Sequence, residues 1–188
     1  MPVPPLLRRR AVLGVFGLGL VAAVAALALF QPWKLVVDET VDEAAPPGIE
    51  QVTDPPGRSA PVEPMRQKAP APRLLASGTL VSHEHESSGR VRVIALPDGR
   101  RILRLEDLDT SNGPDLHVWI TDAPVRPGRA GWFVFDDGAY VDLGRLKGNR
   151  GSQNYDIPAS VDLARLTSVT VWCDRFNVSF AAAALAAP

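Results

Sequence analysis

The sequence predicts an all-β fold, an antiparallel β-sandwich of jelly-roll or immunoglobulin-like type, carried behind one N-terminal transmembrane helix. Three observations lead there. Short apolar runs with period-two alternation recur from Arg73 to the end of the chain, each bounded by glycine, proline, asparagine or aspartate. A single long apolar run stands near the start, and a proline-rich stretch separates it from the alternating region.

The apolar run is read first. Arg8, Arg9 and Arg10 precede an uncharged segment, Ala11 to Phe30, which is followed by Gln31, Pro32, Trp33 and Lys34. About twenty helical residues rising about 1.5 Å each cover about 30 Å, the hydrocarbon thickness of a bilayer. The arginines are expected on the cytoplasmic side, which sends everything after Phe30 outward. The expected location is therefore the plasma membrane, crossed once, with residues 1–10 as a basic cytoplasmic tail. Ala26-Leu27-Ala28 also has the small-x-small form that a signal peptidase accepts, so cleavage near Ala28 would give a secreted form.

Between about Gln31 and Pro72, prolines recur among acidic and small residues with few large apolar side chains. Such a segment buries too little to offset its chain entropy. It is expected to be a disordered, semi-stiff spacer that lets the domain reach away from the bilayer.

The folded region is expected over residues 73–188. Its strands are read at Gly78–His83, Val91–Leu96, Arg101–Leu105, Leu116–Thr121, Trp132–Phe135, Tyr140–Leu143, Ser168–Cys173 and Asn177–Phe180. Pro97-Asp98-Gly99 closes the hairpin between the second and third of these. Val161–Leu166 carries a helical pattern of about a turn and a half.

Composition excludes several classes. A net charge of -1 with mixed signs gives no basic field for nucleic acid. One cysteine, Cys173, rules out an intramolecular disulfide and a multi-cysteine zinc site. There is no Gly-x-Ser-x-Gly elbow, His-Glu-x-x-His pair or Walker loop, and nothing points to a scattered catalytic triad.

The three histidines are His83, His85 and His117. His83 and His85 alternate, so on a strand both rings leave one face, and convergence with His117 or Cys173 would make a copper or zinc site. The polar surroundings from Ser82 to Gly89 favour exposed histidines in a loop instead. Asp107, Asp109 and Ser111 have the spacing of the first three calcium-loop ligands. Asn112 then stands where glycine is needed and Val118 where a bidentate glutamate belongs, so Ser111-Asn112-Gly113-Pro114 reads as a turn.

Alternation on Ser168–Cys173 places Val169, Val171 and Cys173 on one face, with Thr170, Trp172 and Asp174 on the other. Cys173 is either a small buried hydrophobe or a redox thiol. The second reading needs a cation such as Arg175 on the same face to lower the thiol pKa.

Taken in order, Gly78-Thr79-Leu80, His85 with Ser88-Gly89, Leu103-Arg104-Leu105, Ser111 through Leu116 and Val118-Trp119-Ile120 form the first half of a pattern. Leu143 through Asn149, Gly151 through Tyr155, Ile157-Pro158 and Ser168–Cys173 with Phe176 complete it. From about Gly78 to Leu185 the chain resembles the DM-thirteen domain, the electron-transfer family that accompanies DOMON domains. It departs from that family at His117 and Trp119, and no DOMON domain stands beside it. The resemblance implies an extracellular β-sandwich with a redox role carried by one cysteine near the C-terminus, as a bare thiol or through haem. Cys173 matches that position, and His85 is the family-matched partner if haem is held. Covalent c-type attachment is excluded because no Cys-x-x-Cys-His is present.

The expected function is thus a membrane-anchored extracytoplasmic domain with electron transfer through Cys173, with the membrane met through Ala11–Phe30. A redox protein or another cell-surface protein is the expected partner. The alternative is a non-enzymatic surface interaction module in which Cys173 only packs, with loops such as Gly148–Asn154 as the binding face.

Overall fold

The computed structural model describes residues 5–47 and 71–188. A helix, α1 (Pro5–Phe30), is followed by a five-residue 3-10 turn, Pro32–Val36. Nine strands then form two antiparallel sheets. They are β1 (Arg73–Thr79), β2 (Val81–Ser82), β3 (Ser88–Ala95), β4 (Arg101–Asp109), β5 (Leu116–Thr121), β6 (Tyr140–Arg145), β7 (Arg150–Ile157), β8 (Ser168–Cys173) and β9 (Val178–Ala184). One sheet runs β1-β3-β4-β7 and the other β2-β9-β8-β5-β6. The predicted β-sandwich is the fold observed.

The inner faces meet in one apolar core. Val91, Val93, Leu103 and Leu105 from the four-stranded sheet face Val118, Ile120, Val169, Ala181 and Ala183 from the other, and all are fully buried. These positions alternate along each strand, so the pleat sends every second side chain inward. Burial at about 25 cal/mol per Å² of apolar surface is the main force holding the sheets face to face.

The five-stranded sheet is covered on its outer face as well. Residues 123–139 cross over it and bury Ala123 and Phe135 against Trp119, Trp172 and Ala182. The segment Trp132–Phe135, expected as a strand, belongs to this cover: Phe135 is buried in it, Trp132 packs against the cluster around Cys173, and Phe133 is exposed. Val161–Leu166 makes one turn, closed by the Leu166 amide to the Asp162 carbonyl at 2.9 Å, and goes no further. Strand β7 lies where a polar loop was expected. Its Ser152, Gln153 and Asn154 carry polar side chains whose partners lie on β4, in the turn before β7 and at Ala44, so hydrophobic alternation does not mark it.

Residues 13–34 are apolar and long enough to cross a membrane, and their apolar side chains pack against no core. A signal sequence would share both properties.

The spacer differs from expectation where it is described. Asp38–Ala45 lies along β7 as a parallel strap, with the Val41 and Glu43 amides bonded to the Arg150 and Ser152 carbonyls at 2.9 and 2.7 Å. Gly148 and Gly151 allow this approach, since a Cβ on either would sit 2.5 Å from the Glu39 oxygen or 2.3 Å from the Val41 oxygen. The domain is therefore tied to the chain within about eight residues of α1, and Phe30 stacks on Phe176 at 6.1 Å. Residues 38–45 are held on the domain rather than serving as free spacer. The middle of the spacer, residues 48–70, lies outside the described residues.

Candidate functional site

Cys173 ends β8, paired with Leu116 on one side and Val178 on the other. Its side chain faces inward as the alternation predicts, among Leu116, Val171, Val178 and Phe180, and is fully buried. Burial raises the thiol above its ordinary value near 9. The backbone amides of Phe176, Arg175 and Asp115, all bonded toward the sulfur, oppose that shift without cancelling it. The strand stops at Cys173, so Arg175 sits in the β8–β9 turn and its guanidinium reaches the Asp115 carboxylate at 3.9 Å. It does not face the thiol as a continued strand would require.

Asp115 gathers the charges of this end of the sandwich. Besides Arg175 it pairs with Arg145 and lies 3.4 Å from His117 Nε2. His117 Nδ1 meets Asp142 at 2.8 Å.

The other histidines are held apart. His85 pairs with Glu84 and lays its ring on Phe180, centroids 4.0 Å apart. His83, expected as an exposed loop residue, is buried. Its Nε2 faces the Arg126 carbonyl at 3.0 Å, which only accepts, so Nε2 carries the proton and Nδ1 accepts from Ser179 Oγ at 2.7 Å. Burial lowers the His83 pKa, against a raising effect of the Arg126 carbonyl. Ser179 is fully buried too and bonds onward to Thr170, so this Ser–His pair fastens the covering loop and meets no substrate.

Among the described residues no group of three His, Cys, Asp or Glu side chains could hold a metal. Asp107 and Asp109 are strand residues, Asp107 in a β4 bulge with positive φ. Haem does not fit around Cys173 either. Its sulfur is closed in by aliphatic side chains and Phe180, and the His85 ring is spent on Phe180 and Glu84. A cleft of about 540 Å³, lined by Glu43, Pro46, Pro97, Lys147 and Tyr155, lies on another face.

Behind Cys173, on the opposite face of β8, lies what the sequence reading passed over. Trp172 stacks on Trp119 at 5.1 Å, and Trp119 stacks on Tyr140 at 4.0 Å with only 10° between the planes. The available signal was a tryptophan on the face opposite Cys173, with a second one in matching parity on the paired strand. In a two-layer sandwich that face should be wet, so two indoles on it imply a third layer.

The residues quoted for the resemblance are mostly structural. Asn149 Nδ2 donates to the Thr110 carbonyl at 2.7 Å and to Asp38 at 2.8 Å, while its Oδ1 accepts from the Glu39 amide at 2.7 Å. Gln153, fully buried, accepts from the Lys147 amide and from the Tyr155 hydroxyl. They clip the β6–β7 connection and seat the strap, so Gly148–Asn154 is not a free binding loop.

Compared with known families, residues 79–185 match the model described as Electron transfer DM13. No curated protein and no solved structure matches the chain significantly.

Proposed function

The chain belongs to the electron-transfer DM13 family, and from that premise we propose a membrane-anchored, extracytoplasmic electron-transfer domain whose redox group is Cys173. The observation that carries this reading is the setting of the one thiol. It is sealed from solvent, faced by three backbone amides, and bonded through one peptide to Trp172. Burial withholds the sulfur from disulfide exchange, which needs a thiolate within reach of the partner sulfur. What remains is one-electron chemistry. The thiol gives one electron to an acceptor protein, its proton leaves for water as the exposed turn at residues 174–177 opens, and both return on reduction. Arg8, Arg9 and Arg10, in the N-terminal part of α1, support an outward domain.

Stopped-flow mixing of the full chain in detergent with a strong small one-electron oxidant tests this. One equivalent should be consumed per chain, and Cys173→Ser should consume none at that rate. Equal consumption by the two would refute the assignment.

A second reading is favoured by the same burial: a raised, closed-in thiol is also what a packing cysteine has. The domain would then be a surface interaction module, and Cys173→Ser would change stability alone.

A further inference from the structure

We propose that Tyr140, Trp119 and Trp172 form a one-electron conduit from the exposed edge of the five-stranded sheet to the buried strand carrying Cys173. The proposal rests on the redox reading above and names its route and its docking point.

The three rings descend from solvent to core. Tyr140 is 44% exposed on the edge strand β6, Trp119 is 4% exposed, and Trp172 is fully buried. Their planes lie 10° and 26° apart along the series, so the π faces overlap at each step. Tyrosine and tryptophan are the aromatic side chains most easily oxidised by one electron. Beyond Trp172 the next ring is Phe135, edge-on at 6.4 Å. Phenylalanine resists oxidation, so in that direction the series stops. Trp172 is the residue before Cys173, one peptide from the thiol.

Proton chemistry divides the series in a useful way. The Nε1 atoms of Trp119 and Trp172 are buried with no hydrogen-bond partner, so an indole oxidised there has no base to take its proton. Electrons pass between the two indoles without proton transfer. The partly exposed Tyr140 can release its phenolic proton to water. The apolar cover of Ala123, Val125 and Val134 keeps water from the buried radical and makes its positive charge expensive to hold. The deficit is therefore brief on the indoles and settles at an end.

The electron count is as follows. A one-electron oxidant docked on Tyr140 takes one electron, and Tyr140 loses its proton to water. Trp119 refills Tyr140, which regains a proton, and Trp172 refills Trp119, leaving a radical cation on Trp172. Cys173 returns one electron to Trp172, and its thiol proton reaches water when the exposed turn at residues 174–177, beside the sulfur, opens. Overall the oxidant is reduced by one electron, Cys173 is oxidised by one, and one proton is released.

Laser-flash oxidation of the full chain in nanodiscs, with a soluble ruthenium polypyridyl oxidant, reads the conduit directly. Tyr155, the other tyrosine, is buried and bonded to Gln153, so the rapid tyrosyl signal belongs to Tyr140. In the natural chain a tyrosyl signal should decay into an indole radical signal. Tyr140→Phe should abolish the tyrosyl signal and lower the yield of the indole radical several-fold, and Trp119→Phe should lengthen the tyrosyl lifetime several-fold. An unchanged indole yield in the first variant and an unchanged tyrosyl lifetime in the second, with near-ultraviolet circular dichroism showing packed aromatics, would overturn the proposal. Cys173→Ser separates the two readings. If the flash kinetics of the aromatic series persist while the stopped-flow thiol consumption never existed, the conduit stands and the Cys173 assignment falls.

Discussion

Glu43 and Lys147 are joined by a 2.6 Å ion pair between the strap and the turn before β7. The lysine lowers the Glu43 pKa, with a further contribution from the Asn154 amide. A lowered carboxylate contributes stability above its ordinary value of 4.5, and that contribution is lost as pH falls through the folded value. Because both groups are partly exposed, Glu43→Ala should cost only about 1 kcal/mol. Hydrogen exchange at the Val41 and Glu43 amides checks it. Exchange should quicken in the variant, and in the natural chain only below about pH 4.5, while β3 and β4 amides stay protected.

Cys173 should resist alkylation in the folded chain. Its thiol is closed in and its pKa is raised by burial, so the thiolate is scarce at neutral pH. The sign for stability follows. The folded state holds the proton more tightly, so the contribution is complete below pH 9 and is lost as pH rises through the raised value. Iodoacetamide labelling in native buffer should be slow and should become fast in denaturant. Cys173→Ser should cost about 1–3 kcal/mol from placing a hydroxyl among aliphatic groups.

His83 fixes the covering loop 123–139 through Arg126, and burial holds it neutral. Its lowered pKa means that stability is present above the ordinary histidine value of 6.5 and declines as pH falls through the folded value. Tryptophan fluorescence should therefore shift in mild acid as Trp119 and Trp172 lose their cover, before the sandwich unfolds. His83→Ala should show the shift at neutral pH and cost about 1–3 kcal/mol, from the Arg126 carbonyl left without its donor.

Gln153 satisfies the Lys147 amide and the Tyr155 hydroxyl from inside the core. Gln153→Leu should leave the Gly148 carbonyl without its donor, and the Lys147 amide and Tyr155 hydroxyl on their longer remaining bonds, and cost about 1–3 kcal/mol. Chemical denaturation of the two forms measures it. A difference under about 0.5 kcal/mol would show that water replaces the amide.

How much of this was legible varies with the physics behind each element. Ser168–Cys173 and Leu116–Thr121 were readable to the residue, because central strands alternate apolar side chains that face the core. Strand β7 was not, because Ser152 and Asn154 find their partners far along the chain, at Asp107, Arg104 and Ala44. The strap was hidden for a related reason. Its bonds are made by backbone, by Glu43 and by glycines at 148 and 151, none of which leaves an apolar pattern. The inward face of Cys173 was legible, but the arginine expected beside its sulfur was not placed there. A β-turn at residues 174–177 ends the alternation and turns Arg175 toward Asp115.

Film voltammetry of the full chain is the most direct test of Cys173 as the redox group. The natural chain should give a one-electron, one-proton wave that shifts with pH, and Cys173→Ser and Cys173→Ala, shown folded by circular dichroism, should lack it. The same wave in all three chains, or none in the natural one, would contradict the account and leave Cys173 as a packing residue.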